Sequence, residues 1–457
     1  MLSPIDDAIL LIYVLLLVTI GFIGSRRDRD EKRDYMLDGR RLTLPAFVMT
    51  LVTTWYGGIL GVGEFSYLYG ISSWLVFGVP YYIAALIFAF FIAKRARREQ
   101  LVTIPEQLER QYGRRAGMIG AFFVFILTLP AAYLLMLGIL MQFLLGWSLV
   151  WCVILGSLFS MAYVLAGGFR AIIRTDALQF ILMFLGFILI SSIAFIRYGG
   201  LEFLKSNVPA SHFIWHGGQG PAYIIVWLFI ALATLVEPSF YQRCFAAKTE
   251  KTASRGMVIS VLFWIVFDFL TTFTGLYARA LLPDLDNPLY SYLALGENLL
   301  PPVVLGLFCT GLLATIMSSV DSYVLLSAMT LGRDVFGRFY RQTLEAKLWS
   351  YTRWGLVFSA ILSITIALAA QSVIVIWKQV GSLATPALLV PLVSSFSSKW
   401  KMATAWVPWT MAGAALLSGA WILSGWPEGP YWLGIEPIYP GLGLSFLLYI
   451  LSCCLSK

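Results

Sequence analysis

The residues with most chemical capacity in this chain are oxygen-bearing side chains set in apolar surroundings. The run Thr315-Ile316-Met317-Ser318-Ser319-Val320-Asp321-Ser322 lies in an otherwise largely apolar span. On a helix, positions 315, 318 and 322 share a face, with 319 and 321 beside it. Hydroxyl and carboxylate oxygens aligned in this way suit a small hard cation. The plainer alternative is that the serines bond back to their own helix and permit close packing. Asp321 argues for the first reading, because a carboxylate inside an apolar span marks function by default. Asp176, in Arg174-Thr175-Asp176-Ala177-Leu178-Gln179, has a structural alternative of its own: an aspartate cap with Gln179 three residues on. Glu64, Glu237, Asp268 and Lys378 are the other charges that fall within apolar runs. Glu64 and Lys378 lie at similar depth from the outer end of their runs, so the two can pair, either structurally or around the charged ends of a ligand.

Two segments can supply carbonyl oxygens as well. Thr53-Thr54-Trp55-Tyr56-Gly57-Gly58 places β-branched residues, bulky aromatics and paired glycines in the middle of one apolar run. Glu237-Pro238 interrupts another, where proline removes a helix hydrogen bond and the glutamate costs about 2–3 kcal/mol or more. Unwound backbone at membrane depth is tolerated only where it lines a cavity. Two ordinary kinked helices remain the alternative.

The elements that must position these groups are membrane helices. Of 457 residues, 59% are hydrophobic and 12% charged, with a mean hydropathy of +0.82. Soluble domains carry about 25% charge, and this apolar excess requires a lipid bilayer as partner. The runs are too long for barrel strands, which leaves helices. Thirteen spans are expected: 7–24, 44–70, 72–94, 117–145, 147–168, 173–197, 221–243, 254–282, 301–329, 351–369, 373–396, 402–424 and 436–455. The first follows Asp6 and Asp7 and precedes Arg26 and Arg27, so it is expected to be a retained helix rather than a signal peptide. With the amino terminus outside and the carboxyl terminus inside, 28 of the 32 Lys and Arg fall in inner loops. The net charge of +8 follows from that asymmetry and is not a nucleic-acid signal. Cys152, Cys244, Cys309, Cys453 and Cys454 are expected as free thiols. His212 and His216 alone are too few for a metal centre. The interrupted runs open two blocks of five spans, 44–197 and 221–396. One helix stands before them (7–24) and two after (402–455), all in one membrane domain. An odd number of spans per block inverts the second copy, and paired broken helices in inverted halves point to a transporter's central site.

Several segments together resemble the sodium/solute symporter family, whose members carry sugars, proline, sialic acid or pantothenate. They are Gly61 through Gly70; Gly167-Gly168-Phe169-Arg170 running into Thr175-Asp176-Ala177-Leu178-Gln179; Pro238-Ser239-Phe240-Tyr241-Gln242-Arg243; and Ser318-Ser319-Val320-Asp321-Ser322 followed by Arg333-Asp334. They stand in family order over roughly residues 5 to 400. The resemblance implies an all-α, leucine-transporter-like fold of inverted five-helix repeats and uptake of a small organic solute by alternating access. It implies Na+ as coupling ion and no organic cofactor. The implied sodium ligands are the carbonyls of Leu51, Thr54 and Thr315 and the hydroxyls of Ser318 and Ser319. Some members hold a second sodium, which would here fall to Asp176, Ser318, Asp321 and Ser322. The implied solute contacts are Trp55, Tyr56, Gly57, Gly58, Thr234 and Glu237. The polar side chain that sugar carriers have near Gly58 is absent, so an amino acid or carboxylate is expected rather than a sugar.

A proton-coupled carrier using Glu237 or Asp321, or a transporter-like sensor, are the competing readings. The sequence given runs out at Lys457 after its last span, which is expected to leave no room for a signalling domain. No nucleophile–base pair or metal cluster points to an enzyme, and no obligatory protein partner is evident. A bacterial inner membrane is the expected location.

Overall fold

The computed structural model describes residues 2–25, 34–338, 345–425 and 429–455. All regular elements among them are helical, with one isolated bridge between Leu42 and Ala247. The membrane helices are α1 (Pro4–Ser25), α2 (Leu44–Trp55), α3 (Ile59–Tyr69) and α4 (Trp74–Glu99). A short surface helix, α5 (Ile104–Tyr112), precedes α6 (Arg114–Thr128), α7 (Ala131–Leu145) and α8 (Leu149–Tyr198). Then come α9 (Pro221–Ile230), α10 (Pro238–Ala246), α11 (Glu250–Leu281) and α12 (Val304–Met329). The last four are α13 (Glu345–Ala370), α14 (Val373–Ser394), α15 (Val407–Ser424) and α16 (Ile438–Leu455).

Among the described residues eleven helical stretches, with α6–α7 and α9–α10 each taken as one, are long and apolar enough to cross a bilayer, and α2 with α3, bent by 60°, makes a twelfth when taken as one span. The thirteenth expected span is hidden inside α8. This helix has 50 residues, far more than the roughly 20 that one crossing needs. It joins the expected spans 147–168 and 173–197 through Gly168, whose φ of 57° and ψ of −151° only glycine adopts without strain.

The two expected interruptions are present. Helix α2 stops at Trp55, Tyr56 leaves helical geometry, and α3 restarts after Gly58. Helix α9 tightens into a 3₁₀ turn over Ala231–Val236, Glu237 is extended, and Pro238 starts α10. Proline excludes the α conformation at the residue before it and is favourable at a first helical position. A third interruption corrects the expected unbroken span 117–145. Leu129 is extended ahead of Pro130, which separates α6 from α7.

Helix α12 is the axis of the molecule, with nearly every side chain from Leu305 to Met329 buried. It packs along both halves of α8, and α1 lies across the two. Asp6 fastens α1 to the start of α12 by accepting the backbone N–H groups of Val303 and Gly306, each at 2.9 Å. Large apolar side chains such as Phe90, Phe91, Ile188, Leu262 and Trp409 stay exposed on the outer helix faces, as a lipid-facing surface requires. The start of α2 and the end of α10 meet through Leu42 N–H to Ala246 carbonyl (3.1 Å) and Lys248 N–H to Leu42 carbonyl (2.9 Å).

Candidate functional site

The break between α2 and α3 faces the middle of α12. The last four carbonyls of a helix have no intrahelical donor, and in α2 these include Thr54, with Leu51 one residue before the set. Ser319 Oγ donates to the Thr54 carbonyl at 2.6 Å. Ser318 Oγ donates to Asp176 Oδ1, also at 2.6 Å. Thr315 uses its hydroxyl on the Gly311 carbonyl at 2.7 Å, so only its carbonyl is a candidate ligand. Thr54, Thr315, Ser318 and Ser319 are all at most 2% exposed. A dry, oxygen-only set that joins two helices has the donor chemistry of a hard-cation site.

Asp176 is not a helix cap. Helix α8 resumes at Gly168, well ahead of it, and Gln179 donates to Tyr13 Oη at 3.1 Å instead of closing a capping box. The Asp176 carboxylate instead accepts from Thr50 Oγ1 and Ser318 Oγ. Asp321 accepts from Ser160 Oγ at 2.6 Å and from Tyr163 Oη. Ser322 Oγ lies 3.0 Å from Thr54 Oγ1. Both halves of α8 therefore deliver partners to α12: Ser160 and Tyr163 before Gly168, Asp176 after it.

Arg243 occupies the centre of this cluster, and the sequence reading counted it as a loop cation. It is fully buried. Its guanidinium donates to Thr50 Oγ1 (3.1 Å), Thr54 Oγ1 (2.8 Å), Ser322 Oγ (2.7 Å) and Gln242 Oε1 (3.0 Å). It lies 3.9 Å from Asp176 Oδ2 and 5.2 Å over the Phe169 ring. Composition counting missed it because a residue at the end of a span looks the same on either side of the boundary. Its place in the Gln242-Arg243 motif was the signal available.

The residues expected to touch a solute separate into two groups. Trp55 packs against Tyr81, Phe240 and Trp264, with ring centroids 5.4, 5.3 and 5.1 Å away. Tyr56 turns away from α12, its hydroxyl donating to Asp268 Oδ1 and to the Trp264 carbonyl, each at 3.0 Å. Tyr82 donates to the other Asp268 oxygen. Gly57 and Gly58 form the second group. A Cβ at Gly57 would meet Ser319 and Tyr133, and one at Gly58 would meet the Trp377 ring. Glu237 accepts from Tyr323 Oη at 2.8 Å and from the Ser239 N–H at 3.1 Å. Tyr323 lies against Tyr133 (4.7 Å between centroids), and Tyr133 against Trp377 (6.3 Å). Thr234 is buried, and its hydroxyl finds no partner among the described residues. Tyr133, Tyr323 and Trp377 went unread in the sequence, since aromatics in apolar spans are indistinguishable from core there. The Pro130 break that sets Tyr133 was the one local hint.

At one face of the bundle Lys378 pairs with Glu436 at 3.0 Å, not with Glu64. His212 uses Nε2 on the Tyr67 carbonyl at 2.9 Å, so it is tied into the α3 end. At the opposite face Thr103 Oγ1 donates to Asp334 Oδ1 (2.9 Å), and Arg338 pairs with Asp334 and Glu109 at 3.1 and 3.0 Å. These bonds latch α5 to the segment that follows α12. Behind the latch, Thr103, Gln242, Phe245 and Met329 line a narrow cleft.

Comparison with known proteins agrees with this architecture. An osmoregulated proline transporter, OpuE, of Bacillus subtilis is 25% identical over 98% of this chain and 94% of its own. The sodium/pantothenate symporter of Escherichia coli is 24% identical over 98% and 96%. A Na+-coupled sialic acid symporter, solved in a substrate-bound outward-open state, superposes with a TM-score of 0.78 at 16% identity, covering 98% of each chain. The nucleobase-cation-symport transporter Mhp1 shares the fold at a TM-score of 0.57 and 14% identity, over 89% of this chain and 92% of its own. The model of the sodium:solute symporter family matches residues 35–413. With a broken helix facing a hydroxyl-lined partner and that match over most of its length, the chain belongs to the sodium:solute symporter family, multi-pass membrane carriers that move a small solute together with sodium.

Proposed function

We propose that the coupling sodium binds between α2 and α12, on the carbonyls of Leu51, Thr54 and Thr315 and the hydroxyls of Ser318 and Ser319. The observation that carries this is the 2.6 Å bond from Ser319 Oγ to the Thr54 carbonyl, which closes the break against the axial helix. A cation that takes up both oxygens fixes α2 against α12 and so favours one arrangement of the bundle. The solute lies beside the break, against Trp55, Gly57, Gly58, Thr234 and Glu237, with Tyr56 contributing backbone because Asp268 holds its hydroxyl. It is an amino acid or carboxylate rather than a sugar. Trp377 packed on Gly58 and the proline and pantothenate carried by relatives support that class.

The second cluster is assigned differently. Arg243 already brings a positive charge to Asp176 and Ser322, so a second sodium on Asp176, Ser318, Asp321 and Ser322 requires the guanidinium to withdraw. One sodium per cycle is the reading this arrangement supports. Residues 44–197 and 221–396 are the two inverted repeats, with 7–24 before and 402–455 after. The amino terminus lies outside and the carboxyl terminus inside a cell membrane, the inner one in a bacterium with two.

One charge moving inward gains about 2.3 kcal/mol per 100 mV. A tenfold sodium gradient adds about 1.4 kcal/mol, and together these support roughly five-hundred-fold solute accumulation. The test is uptake into proteoliposomes with sodium or potassium outside. Sodium-dependent uptake that Ser318→Ala with Ser319→Ala removes is expected. Uptake indifferent to sodium but collapsed by alkaline medium would replace the reading with proton coupling through Glu237 or Asp321.

A further inference from the structure

We propose that the transported solute carries a protonated or quaternary ammonium group, and that Glu237 is its counter-ion inside an enclosure formed by Tyr133, Tyr323 and Trp377. This rests on the placement of the solute at the two helix breaks and narrows its class: amines and amino acids fit, while bare carboxylates and polyols do not.

The argument begins with a charge that lacks a partner. A carboxylate within a membrane span is costly unless something neutralises it. Both hydrogen bonds to Glu237 fall on Oε1, from Tyr323 Oη and the Ser239 N–H, and Oε2 accepts none among the described residues. The neighbouring cations are committed elsewhere. Lys378 is paired with Glu436. Arg243 places its two terminal nitrogens on Thr50, Thr54, Ser322 and Gln242 and faces Asp176, and no hydrogen bond or ion pair joins it to Glu237 among the described residues, although its Nε finds no partner. Of the two further carboxylates beside the broken α2–α3 span, Asp268 is held by the Tyr56 and Tyr82 hydroxyls, and Glu64 lies beyond the break on α3. Of these groups, Glu237 is the one left with an open oxygen at the break.

The surroundings of that oxygen suit a cation with an apolar shell. The Tyr133 ring stands between those of Tyr323 and Trp377, at 4.7 and 6.3 Å between centroids. Tyr133 and Trp377 approach the glycine pair at the break. Glu237, Tyr133 and Trp377 are half-buried where most of their neighbours are fully buried, so these faces border open space. Aromatic faces attract an ammonium through their ring quadrupoles, more strongly when the cation is desolvated. A polyol needs several free donors and acceptors, yet the Tyr323 hydroxyl is already spent on Glu237. An anion without an ammonium would meet Glu237 with no cation between them. On the far side of the break, the Trp55, Phe240 and Trp264 rings provide a wall for the rest of the solute.

The experiment is a thermal-shift titration of the full chain in detergent, in sodium and separately in potassium. The probes are proline, ethanolamine, choline and tetramethylammonium, set against 3,3-dimethylbutan-1-ol (the uncharged shape of choline), pantothenate and glucose. At least one ammonium compound is expected to stabilise the wild type, and the uncharged and anionic probes are not. Glu237→Gln, which keeps the Oε1 acceptor, is expected to weaken that binding about tenfold or more. Glu237→Asp should retain part of the binding, and Tyr323→Phe should change it without loss of the sodium response. The shift caused by sodium alone serves as the control for folding in every variant. The proposal is overturned if no ammonium compound stabilises the wild type, if pantothenate or glucose does so instead, or if Glu237→Gln binds the ammonium as tightly. A loss confined to the difference between sodium and potassium would count against the sodium site and leave the ammonium site standing.

Discussion

Gly57→Ala isolates the contact on which the sodium site depends. A Cβ built at Gly57 lies 2.5 Å from Tyr133 Cδ1 and closer still to Ser319 Cβ and Oγ. Unstrained carbon contacts need about 3.5–4.0 Å, so both neighbours have to move by roughly an ångström or more. Ser319 is fixed on the buried α12, and the backbone bond it must stretch is its 2.6 Å link to the Thr54 carbonyl. Overpacking of this kind costs about 1–3 kcal/mol. If that cost falls on the sodium-bound arrangement, the sodium concentration for half-maximal uptake rises by about five- to 150-fold, since 1.4 kcal/mol is a factor of ten. The assay is a sodium titration of solute uptake, with Gly381→Ala as control, because a Cβ there meets nothing within 4 Å. A half-saturating sodium concentration within about twofold of wild type in Gly57→Ala, a change worth only about 0.4 kcal/mol, would refute the packing argument and with it the assignment of Ser319 as a ligand.

Three further outcomes follow from the same geometry. Arg243→Ala leaves Asp176 without its cation, and breaking a buried pair costs about 3–5 kcal/mol; its melting temperature should fall and rise again with sodium more steeply than in wild type, and equal sodium slopes would show that the guanidinium does not exclude an ion. Thr103→Val with Arg338→Gln removes bonds from the latch on α5, so Cys244, fully buried behind it, should react faster with a maleimide in a background lacking Cys453 and Cys454; an unchanged rate would show that the latch does not guard the cleft. Burial holds His212 below its ordinary pKa of 6.5, so the folded state favours the neutral ring, and the associated stability is present above that pH and lost as the pH falls through the lowered value. Melting temperature should therefore drop between about pH 7 and 5, and His212→Gln should flatten that drop unless the ring plays no part.

The broken helices and the hydroxyl stripe could be read from the chain alone because their causes are local. Glycine pairs, a proline after an acid, and serines three and four apart act through backbone geometry within a few residues. The membrane setting was equally local, since apolar runs of bilayer length admit only helices. The Pro130 break was open to the same logic and went unread because the run around it stays apolar throughout.

What the sequence left open is decided by distance along the chain. Asp176 reads as a cap on local grounds, yet it faces Thr50, 126 positions away, and Ser318, 142 away. Arg243 reads as a loop cation until the packing of α2, α8 and α12 surrounds it. Glu237 reads as a lone acid until Tyr133, Tyr323 and Trp377 come together from three separate helices. Side-chain type and spacing determine which helices form and where they break. Which oxygens face a cation, and which carboxylate is left without one, depends on contacts between residues far apart in sequence, and those exist only once the bundle has packed.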